Sequence, residues 1–550
     1  MEPTSDASPP PAPSGAAGGG SAERAPESQV TAGGAGSAVP GAPGTADGPG
    51  VPGVPDASAP DASAPDASAA LRALAERFTA LLGNDSVITD PVRLRTYECD
   101  GLTTHRAMPG LVVLPRTAEQ IAQIVRACAA AGVPYVARGS GTGLSGGALP
   151  RTDGVLIVTS RMRRILEIDV ENRRAVVEPG VINLEVSRAA AAYDHYFAPD
   201  PSSQQICSVG GNVAENSGGA HCLKYGFTAH HVLACEVVTP DGEIVELSAG
   251  DPGYDLLGVF VGAEGTLGIA TKITVRLTRV PETVQTLLAA FTSIEAGGAA
   301  VSAIIGAGVV PAAIEMMDAL SIEAAEAAVR CEYPPGAGAV LIVELDGPAA
   351  EVEHQFAQVE RLCRDAGAFE IRVAADAAER ALIWKGRKSA FAAVGRISPA
   401  YLVQDGVIPR TALPEVLAGI DALSAESGVR VANVFHAGDG NLHPLVLFND
   451  AEEGAAERAE EVSGKILDLC IEHGGSITGE HGVGVDKARH MPRMFTETDL
   501  DTMQMVRCGF DPAGLCNPGK VFPTPRLCGE VPGVRKGVHP LVAQGKAELF

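Results

Sequence analysis

A glycine-rich loop between two short apolar strands constrains the fold of this chain more than any other feature. Gly141, Gly143 and Gly146 have the G-x-G-x-x-G spacing of dinucleotide-binding loops. In a Rossmann fold this loop must open a helix, because the pyrophosphate rests on the helix N-terminus. Here Pro150 and the strand VLIVT follow too soon for a helix to fit. The sequence therefore disfavours a nicotinamide-dependent Rossmann dehydrogenase. It leaves open a nest of backbone N–H groups that binds phosphate, or a plain turn between strands.

Two further stretches rich in glycine and short polar side chains follow, at residues 199–219 and 262–268. Glycine has no Cβ atom, so it lets the backbone approach a ligand closely. Three such stretches within one predominantly β block predict an extended, polar cofactor. Stacked turns in a large sheet are the alternative interpretation.

Composition and hydrophobic periodicity divide the chain into five parts. The first is low in complexity, holds 13 of the 39 prolines and has no aromatic residue, which predicts disorder. Later parts alternate apolar strands with amphipathic helices, such as one predicted over 117–132. In the second large block this pattern predicts a sheet covered by helices on one face. The predicted parts are a disordered tract at 1–69, a helical lead-in at 70–104, a first domain at 105–282, a second domain at 283–523 and a tail at 524–550.

Charge and cysteine usage exclude several classes of protein. The net charge is -25 and the pI about 4.9, which argues against nucleic-acid binding. Eleven cysteines, none in a C-x-x-C pair, argue against a disulfide framework, a zinc ribbon or an iron–sulfur cluster held by this chain alone. Reduced thiols in a cytoplasmic protein are expected. The uncharged segment 296–314 is weakly hydrophobic and predicts a buried helix followed by a strand, rather than a membrane span.

A second constellation of polar residues lies near the C-terminus. His436 and His443 flank a Gly-Asp-Gly-Asn turn, and Glu480 and His481 lie between glycines. Two histidines and a carboxylate are able to bind zinc, manganese or iron, which leaves His481 as a candidate general base. Ordinary polar loop residues are the alternative. Arg387 is able to bind a carboxylate substrate through paired hydrogen bonds, or to lie solvated on a helix surface.

Several long motifs, in unbroken order over about residues 85–525, resemble one known family. The chain is similar to the FAD-linked oxidases of the vanillyl-alcohol-oxidase (PCMH-type) superfamily. Within that group YECDGL and GRKSAFAAVGRISPAY most resemble the large FAD subunit of bacterial glycolate oxidase and its D-lactate dehydrogenase relatives. The motifs that carry the wider resemblance are RGSGTGLSGGALP (138–150), APDPSS (198–203), GGNVAENSGGAHCLKYG (210–226), FHAGDGNLHP (435–444), GEHGVG (479–484) and FDPAGLCNPGKVFP (510–523).

The resemblance implies an α+β fold, with a two-subdomain FAD-binding domain and a cap domain built on a ferredoxin-like antiparallel sheet. It implies that His436, His443 and Glu480 bind a divalent metal, that His481 is the base and that Arg387 binds the substrate carboxylate. FAD should be held non-covalently. The implied FAD-binding residues are Arg138, Gly139, Ser140, Gly141, Thr142, Gly143, Leu144 and Gly147 for the pyrophosphate, and Pro199, Asp200, Ser202, Gly211, Asn212, Asn216, Gly219, Gly265, Ile269 and Asn517 for the rest of the cofactor.

The resemblance also implies an activity. We expect oxidation of glycolate, or of a small D-2-hydroxy acid, to the 2-oxo acid by hydride transfer to flavin. A D-lactate dehydrogenase and a non-catalytic flavin-binding subunit are the alternatives. Gln404 stands near the place where 2-hydroxyglutarate enzymes carry a lysine, which disfavours a dicarboxylate substrate. The expected partners are a second FAD-binding-type subunit and an iron–sulfur subunit. Membrane association at the cytoplasmic face would come only through them.

Overall fold

The computed structural model describes residues 67–523, so most of the predicted disordered tract and all of the predicted tail lie outside the described residues. The lead-in helix begins at Ala67, inside the last three residues of that tract. Phe78 from this helix packs against the first sheet. The first elements are α1 (Ala67–Leu82), β1 (Val87–Ile88), α2 (Pro91–Leu94), β2 (Leu111–Val113), α3 (Ala118–Ala131), β3 (Tyr135–Arg138) and β4 (Val155–Val158).

The first sheet has the strand order β1-β2-β4-β3. Strands β2, β4 and β3 are parallel, and β1 is antiparallel to β2. The predicted helix α3 is confirmed. The Thr117 side chain accepts a hydrogen bond from the Gln120 N–H at the N-terminus of this helix. Gly132 ends it at a φ of 65°, a conformation that glycine adopts without strain.

The second sheet is antiparallel throughout, with the order β5-β6-β10-β8-β9. The sheet contains two antiparallel pairs of consecutive strands, β5 with β6 and β8 with β9, and Gly242 turns the second at a φ of 84°. The elements of this subdomain are β5 (Ile165–Asp169), β6 (Arg174–Val177), α4 (Asn183–Ala190), β7 (His195–Tyr196), α5 (Val209–Glu215), α6 (Cys222–Tyr225), β8 (Val232–Val238), β9 (Ile244–Ser248), α7 (Leu256–Phe260), β10 (Ile269–Arg276) and β11 (Thr278–Arg279).

The second block contains a seven-stranded antiparallel sheet of order β15-β12-β14-β13-β17-β18-β16. Its elements are β12 (Thr283–Phe291), α8 (Ile294–Gly306), β13 (Ala313–Asp318), α9 (Ala319–Val329), β14 (Ala339–Gly347), α10 (Ala349–Asp365), β15 (Glu370–Val373), α11 (Ala377–Val394), β16 (Ala400–Val403), α12 (Leu413–Ser427), β17 (Val431–His436), β18 (Pro444–Phe448), α13 (Ala455–Glu472), α14 (Met491–Met494) and α15 (Glu497–Phe510).

Helices cover both faces of this sheet, so the prediction of helices on one face is wrong. Leu287 and Phe291 of β12 pack with α8, α10 and α12, whereas Leu288 from the same strand packs with α9 and α11. Strand β14 is buried without interruption from Ala339 to Leu345. A continuous apolar run is typical of a strand covered on both faces, since side chains alternate between the faces.

The uncharged segment 296–314 forms most of α8 and the start of β13, as predicted. Among residues 67–523, no helix combines the length and the hydropathy that crossing a membrane would need. Nine cysteines within residues 67–523 are free, but Cys508 is disulfide-bonded, which corrects the expectation of reduced thiols. An odd number of cysteines excludes complete pairing but not a single pair.

Candidate active site

The two predicted histidine ligands meet at one end of the seven-stranded sheet. His436 is the last residue of β17, and His443 immediately precedes β18. Gly440 adopts a φ of 82°, so the turn between them returns the chain tightly, and the Gly440 N–H donates to the His436 carbonyl oxygen. The two ring centroids lie 5.0 Å apart at an interplanar angle of 88°. The turn therefore brings both imidazoles to one side, as the sequence predicted.

Glu480 lies beside both rings. Its Oε1 atom is 3.1 Å from His443 Nε2 and 3.5 Å from His436 Nε2. The second distance is long for a hydrogen bond, and His436 Nε2 is buried with no better partner among the described residues. Burial opposes charge on Glu480, but His436 and His443 hold its pKa well below the ordinary value. The ligand atoms of His436, His443 and Glu480 lie within 4.8 Å of one another. Zinc, manganese and iron all bind imidazole nitrogens and carboxylate oxygens, so the three residues fit a cation.

Glu315 connects this cluster to the predicted substrate arginine. Strands β13 and β17 place Glu315 directly opposite His436, whose Nδ1 atom lies 2.7 Å from Glu315 Oε1. Glu315 Oε2 forms an ion pair with Arg387 Nη2 at 2.6 Å. A histidine ligand whose second nitrogen is bonded to a carboxylate is a common arrangement around metals. Sequence reasoning missed Glu315, although one acid inside the apolar strand AAIEMMD was a usable signal.

Arg387 is buried on helix α11 and is 4% exposed, so it is not a solvated surface arginine. Its Nε atom has no hydrogen-bond partner among the described residues. A buried guanidinium with an unused donor is costly unless a ligand or water satisfies it. The geometry therefore leaves one edge of Arg387 available to an anion.

Asp405 organises the loop that carries Glu480 and His481. Its Oδ2 atom accepts hydrogen bonds from the His481 N–H at 2.9 Å and from Lys487 Nζ at 3.1 Å, and its carboxylate also accepts from the Glu480 N–H. Asp405 and Lys487 are fully buried. Burial opposes the charged form, but Lys487 and the nearby imidazoles hold the pKa of Asp405 below its ordinary value. No feature of the sequence indicates that Asp405 and Lys487, 82 residues apart, would pair.

The His481 ring stacks on His443, with centroids 4.9 Å apart and an interplanar angle of 17°. Its Nδ1 atom is buried without a partner among the described residues. Burial lowers the pKa of His481 to about 4, because the imidazolium form loses its hydration. The ring is therefore neutral near pH 7 and able to accept a proton.

Asn441 was also missed by sequence reasoning. It lies in the turn between the two histidines and is 2% exposed. Neither its amide nitrogen nor its amide oxygen has a hydrogen-bond partner among the described residues. An unsatisfied amide in a cluster of this kind is a candidate contact for substrate or water.

The glycine loop contains no helix between Gly139 and Gly154, as predicted. None of the backbone N–H groups of residues 140–147 donates a hydrogen bond to another part of the chain that the structure describes. Gly141 and Gly146 have φ values of 70° and 76°. A run of unused N–H groups held by left-handed glycines is able to cradle an anion, so the loop fits a pyrophosphate. The Arg138 side chain lies beneath it and donates to the Cys99 carbonyl oxygen.

The other glycine-rich stretches converge on this loop. Asn517 Nδ2 donates to the carbonyl oxygens of Gly147 and Glu264 at 3.0 and 2.6 Å. A Cβ atom at Gly218 would lie 2.7 Å from Glu480 Oε2, so the second stretch borders the histidine cluster. Asn212 is buried, and its Nδ2 atom has no partner among residues 67–523, which leaves it free for a cofactor.

The remaining predicted cofactor residues take several environments. The Asp200 side chain is bonded to His221, and Asn216 accepts a hydrogen bond from the Ala229 N–H. Ile269 packs in the core beneath the first sheet, so only its backbone is left to reach a cofactor. The part-exposed members are Gly139, Thr142, Gly143, Leu144, Gly211 and Gly265. Pro199 and Gly219 are buried, and Ser140 and Ser202 are exposed.

We predict that Asp405→Asn destabilises the protein by about 3–5 kcal/mol, because the change leaves the buried Lys487 ammonium without its counter-charge. Urea unfolding of the purified variant measures the loss. Asp450→Asn, at an exposed position, is the control and should change the free energy of unfolding by less than about 0.5 kcal/mol. Equal losses of unfolding free energy in the two variants would contradict the anchoring role of Asp405.

Comparisons with known proteins match most of the chain. The family model described as FAD linked oxidases, C-terminal domain, matches residues 280–521, and the FAD binding domain model matches residues 109–248. The chain is 53% identical over 437 residues to glycolate oxidase subunit GlcD of Escherichia coli K12, covering 79% of this chain and 88% of the relative. It is 33% identical over 428 residues to a D-lactate dehydrogenase of Anaerostipes hadrus, covering 76% and 90%.

Solved structures show the same fold at low sequence identity. p-Cresol methylhydroxylase matches with a TM-score of 0.69 at 16% identity, covering 82% of this chain and 97% of that chain. 4-Ethylphenol oxidase from Gulosibacter chungangensis matches with a TM-score of 0.67 at 19% identity, covering 83% and 98%. The predicted two-subdomain cofactor domain with an antiparallel cap is therefore confirmed at the level of the fold.

Proposed function

Because the chain belongs to the FAD-linked oxidase family and is an FAD-dependent oxidoreductase, we propose that it oxidises glycolate to glyoxylate as the FAD subunit of a glycolate oxidase complex. The observation that carries the proposal is the cluster of His436, His443 and Glu480 beside Arg387, with His481 stacked on it. A subunit that binds flavin without catalysis would have no need of this complete set.

Arg387 binds the substrate carboxylate in this proposal. Its Nη2 atom is held by Glu315, and its Nε atom is available to one carboxylate oxygen. Because Glu315 also holds His436, the arginine and the cation-binding cluster keep a constant separation. The substrate carbon that carries the hydroxyl group would thus be presented in one orientation.

His481 accepts the proton of the substrate hydroxyl at Nδ1, the ring nitrogen without a partner. The lowered pKa keeps the ring neutral near neutral pH, so one ring nitrogen is able to accept a proton, and stacking on His443 holds the ring in place. General base catalysis by a positioned side chain contributes about 10²–10⁴-fold.

Two bound groups supply the remaining chemistry. FAD supplies a hydride acceptor for the C2 hydrogen when bound at the glycine loop. A divalent cation held by His436, His443 and Glu480 supplies polarisation of the 2-hydroxyl group. The buried donor set supports a cation, and zinc, manganese and iron all suit it.

A small D-2-hydroxy acid such as D-lactate is the second candidate substrate, because one relative bears the name D-lactate dehydrogenase. An apolar pocket discriminates between two substrates that differ by one methyl group, as glycolate and D-lactate do, by only about 1–3 kcal/mol.

The relatives named as subunits support a multi-subunit complex. We propose a second FAD-binding-type subunit and an iron–sulfur subunit as partners, and peripheral membrane association through them.

We predict that anaerobic glycolate bleaches the flavin absorption band of the purified protein, that D-lactate bleaches it more slowly, and that L-lactate leaves it unchanged. The visible spectrum, recorded by stopped flow, measures each rate. Faster bleaching by D-lactate than by glycolate would favour the second candidate. A flavin band that no 2-hydroxy acid bleaches would overturn both.

We predict that His481→Ala retains bound FAD and slows flavin reduction by about 10²–10⁴-fold, since the base is lost while the glycine loop is intact. Single-turnover bleaching measures the rate. His354→Ala, at an exposed position on α10, is the matched control and should reduce its flavin at the parent rate. Normal bleaching in His481→Ala would exclude the base role.

We predict that dialysis against a chelator removes about one divalent cation per chain and slows flavin reduction without releasing FAD. Re-addition of Mn²⁺ or Zn²⁺ should restore the rate, because the donor set suits either ion. Elemental analysis measures the metal, and Glu480→Gln should lower its content. A metal-free preparation with full activity would contradict the cation site.

A further inference from the structure

Two carboxyl groups that the proposed mechanism does not use, the buried Glu264 and the part-buried Glu215, meet between the glycine loop and the loop that carries His481. Glu215 is the last residue of α5, and Glu264 lies in the turn before β10. The Glu264 N–H donates to the Ala214 carbonyl oxygen at 2.8 Å, which keeps the two residues adjacent. Oxygen atoms of both side chains come within 3 Å of the position that a Cβ atom would take at Gly482.

The two carboxyl groups differ in hydrogen bonding. Glu264 Oε1 accepts from the Val483 N–H at 2.7 Å, and Glu264 Oε2 accepts from the Gly484 N–H at 2.6 Å. Glu264 itself takes the uncommon left-handed conformation, with a φ of 50°. In contrast, Glu215 Oε2 is excluded from solvent and has no hydrogen-bond partner among the described residues. Backbone N–H donors stabilise a carboxylate, so Glu264 is the better site for the negative charge.

Glu215 also contacts the glycine loop. A Cβ atom at Gly147 would lie 2.7 Å from Glu215 Oε1. The Val485 N–H donates to the Ser145 carbonyl oxygen at 3.0 Å, so the glycine loop packs directly against the segment after His481. Glu215 thus lies where these two loops meet, in space that glycines leave open on both sides.

The charged groups around Glu215 are mostly acidic. Glu264, Asp100 and Asp405 each add negative charge, and Lys487 is the cation whose charge opposes them. However, Lys487 Nζ is bonded to Asp405 Oδ2 rather than to Glu215. Burial and then the charge of Glu264 raise the pKa of Glu215 well above its ordinary value. Two carboxylates this close, with Glu215 Oε2 shielded from solvent, cannot both ionise readily.

We propose that Glu215 is a neutral, protonated acid in the folded protein and a positioning residue that holds the glycine loop against the loop carrying Glu480 and His481. The inference goes beyond the proposed activity and rests on it in one respect, the assignment of the glycine loop to FAD. Protonated Glu215 packs beside the Glu264 carboxylate without repulsion. An ionised Glu215 would push the two loops apart.

The infrared spectrum of the holoprotein tests the protonation state directly. A protonated carboxyl group has a C=O stretching band that is distinct from the carboxylate bands and shifts in D₂O. We expect this band near pH 7 in the parent protein and expect Glu215→Gln to remove it. Its absence from the parent protein would overturn the proposal, whatever the substrate or the flavin reduction rate.

Conservative replacement tests the positioning role. Glu215→Gln is neutral and of equal size, so we expect FAD affinity within about threefold of the parent value. Glu215→Ala leaves a void between the loops, and we expect about tenfold weaker FAD binding, measured by quenching of flavin fluorescence. Rescue by glutamine but not alanine supports the proposal. More than tenfold weaker binding in Glu215→Gln would show that the charged form is the native one.

The pH dependence of stability gives an independent readout. The folded-state pKa of Glu215 is raised, so the folded protein retains a proton that the unfolded chain releases above about pH 4.3. This one group should therefore raise the unfolding equilibrium constant about tenfold per pH unit as the pH rises from about 4.3 toward the folded-state pKa. The Glu215→Gln variant should lack this pH-dependent contribution to the free energy of unfolding. The matched control Glu264→Gln disturbs the Val483 and Gly484 contacts and should lower stability at every pH. Identical pH slopes in the parent and Glu215→Gln would contradict the proposal.

Discussion

The carboxylate of Asp405 is the interaction on which the candidate active site depends. It lies just after strand β16, at the end of the seven-stranded sheet, and it accepts from backbone N–H groups of the loop that carries Glu480 and His481. A loop rich in glycine has high conformational entropy in the unfolded chain. The buried Asp405 carboxylate is charge-balanced by Lys487. Because it accepts several hydrogen bonds from the loop, it holds the loop in a single conformation.

The antiparallel cap sheet positions the remaining side chains of the candidate active site. Strand pairing sets Glu315 opposite His436, and the hairpin from β17 to β18 returns His443 to the same end. Helix α11 places Arg387 beside the second carboxylate oxygen of Glu315. One carboxylate thus orients a candidate ligand and a candidate substrate-binding residue together, so the distance between them is set by the sheet rather than by flexible side chains.

Glycine permits the FAD-binding domain and the cap to approach closely. Gly147 and Gly482 leave space for the Glu215 side chain, and Gly218 leaves space for Glu480. Any side chain at these positions would occupy that space. The glycine-rich motifs therefore serve two purposes: exposed backbone N–H groups for an anion, and room for buried acids between adjacent loops.

The class of fold followed from the sequence through its resemblance to the FAD-linked oxidases. The three glycine-rich stretches and the proximity of His436 to His443 also followed from the sequence, because they depend on local spacing and on turn chemistry. It also disfavoured a Rossmann loop, since the absence of a helix after Gly146 is a local property. Only the tertiary structure decided that helices cover both faces of the cap sheet and that Asp405, Glu315 and the Glu215–Glu264 pair surround the site. These contacts join residues far apart in the chain, and a buried acid looks the same in sequence whether or not folding gives it a partner.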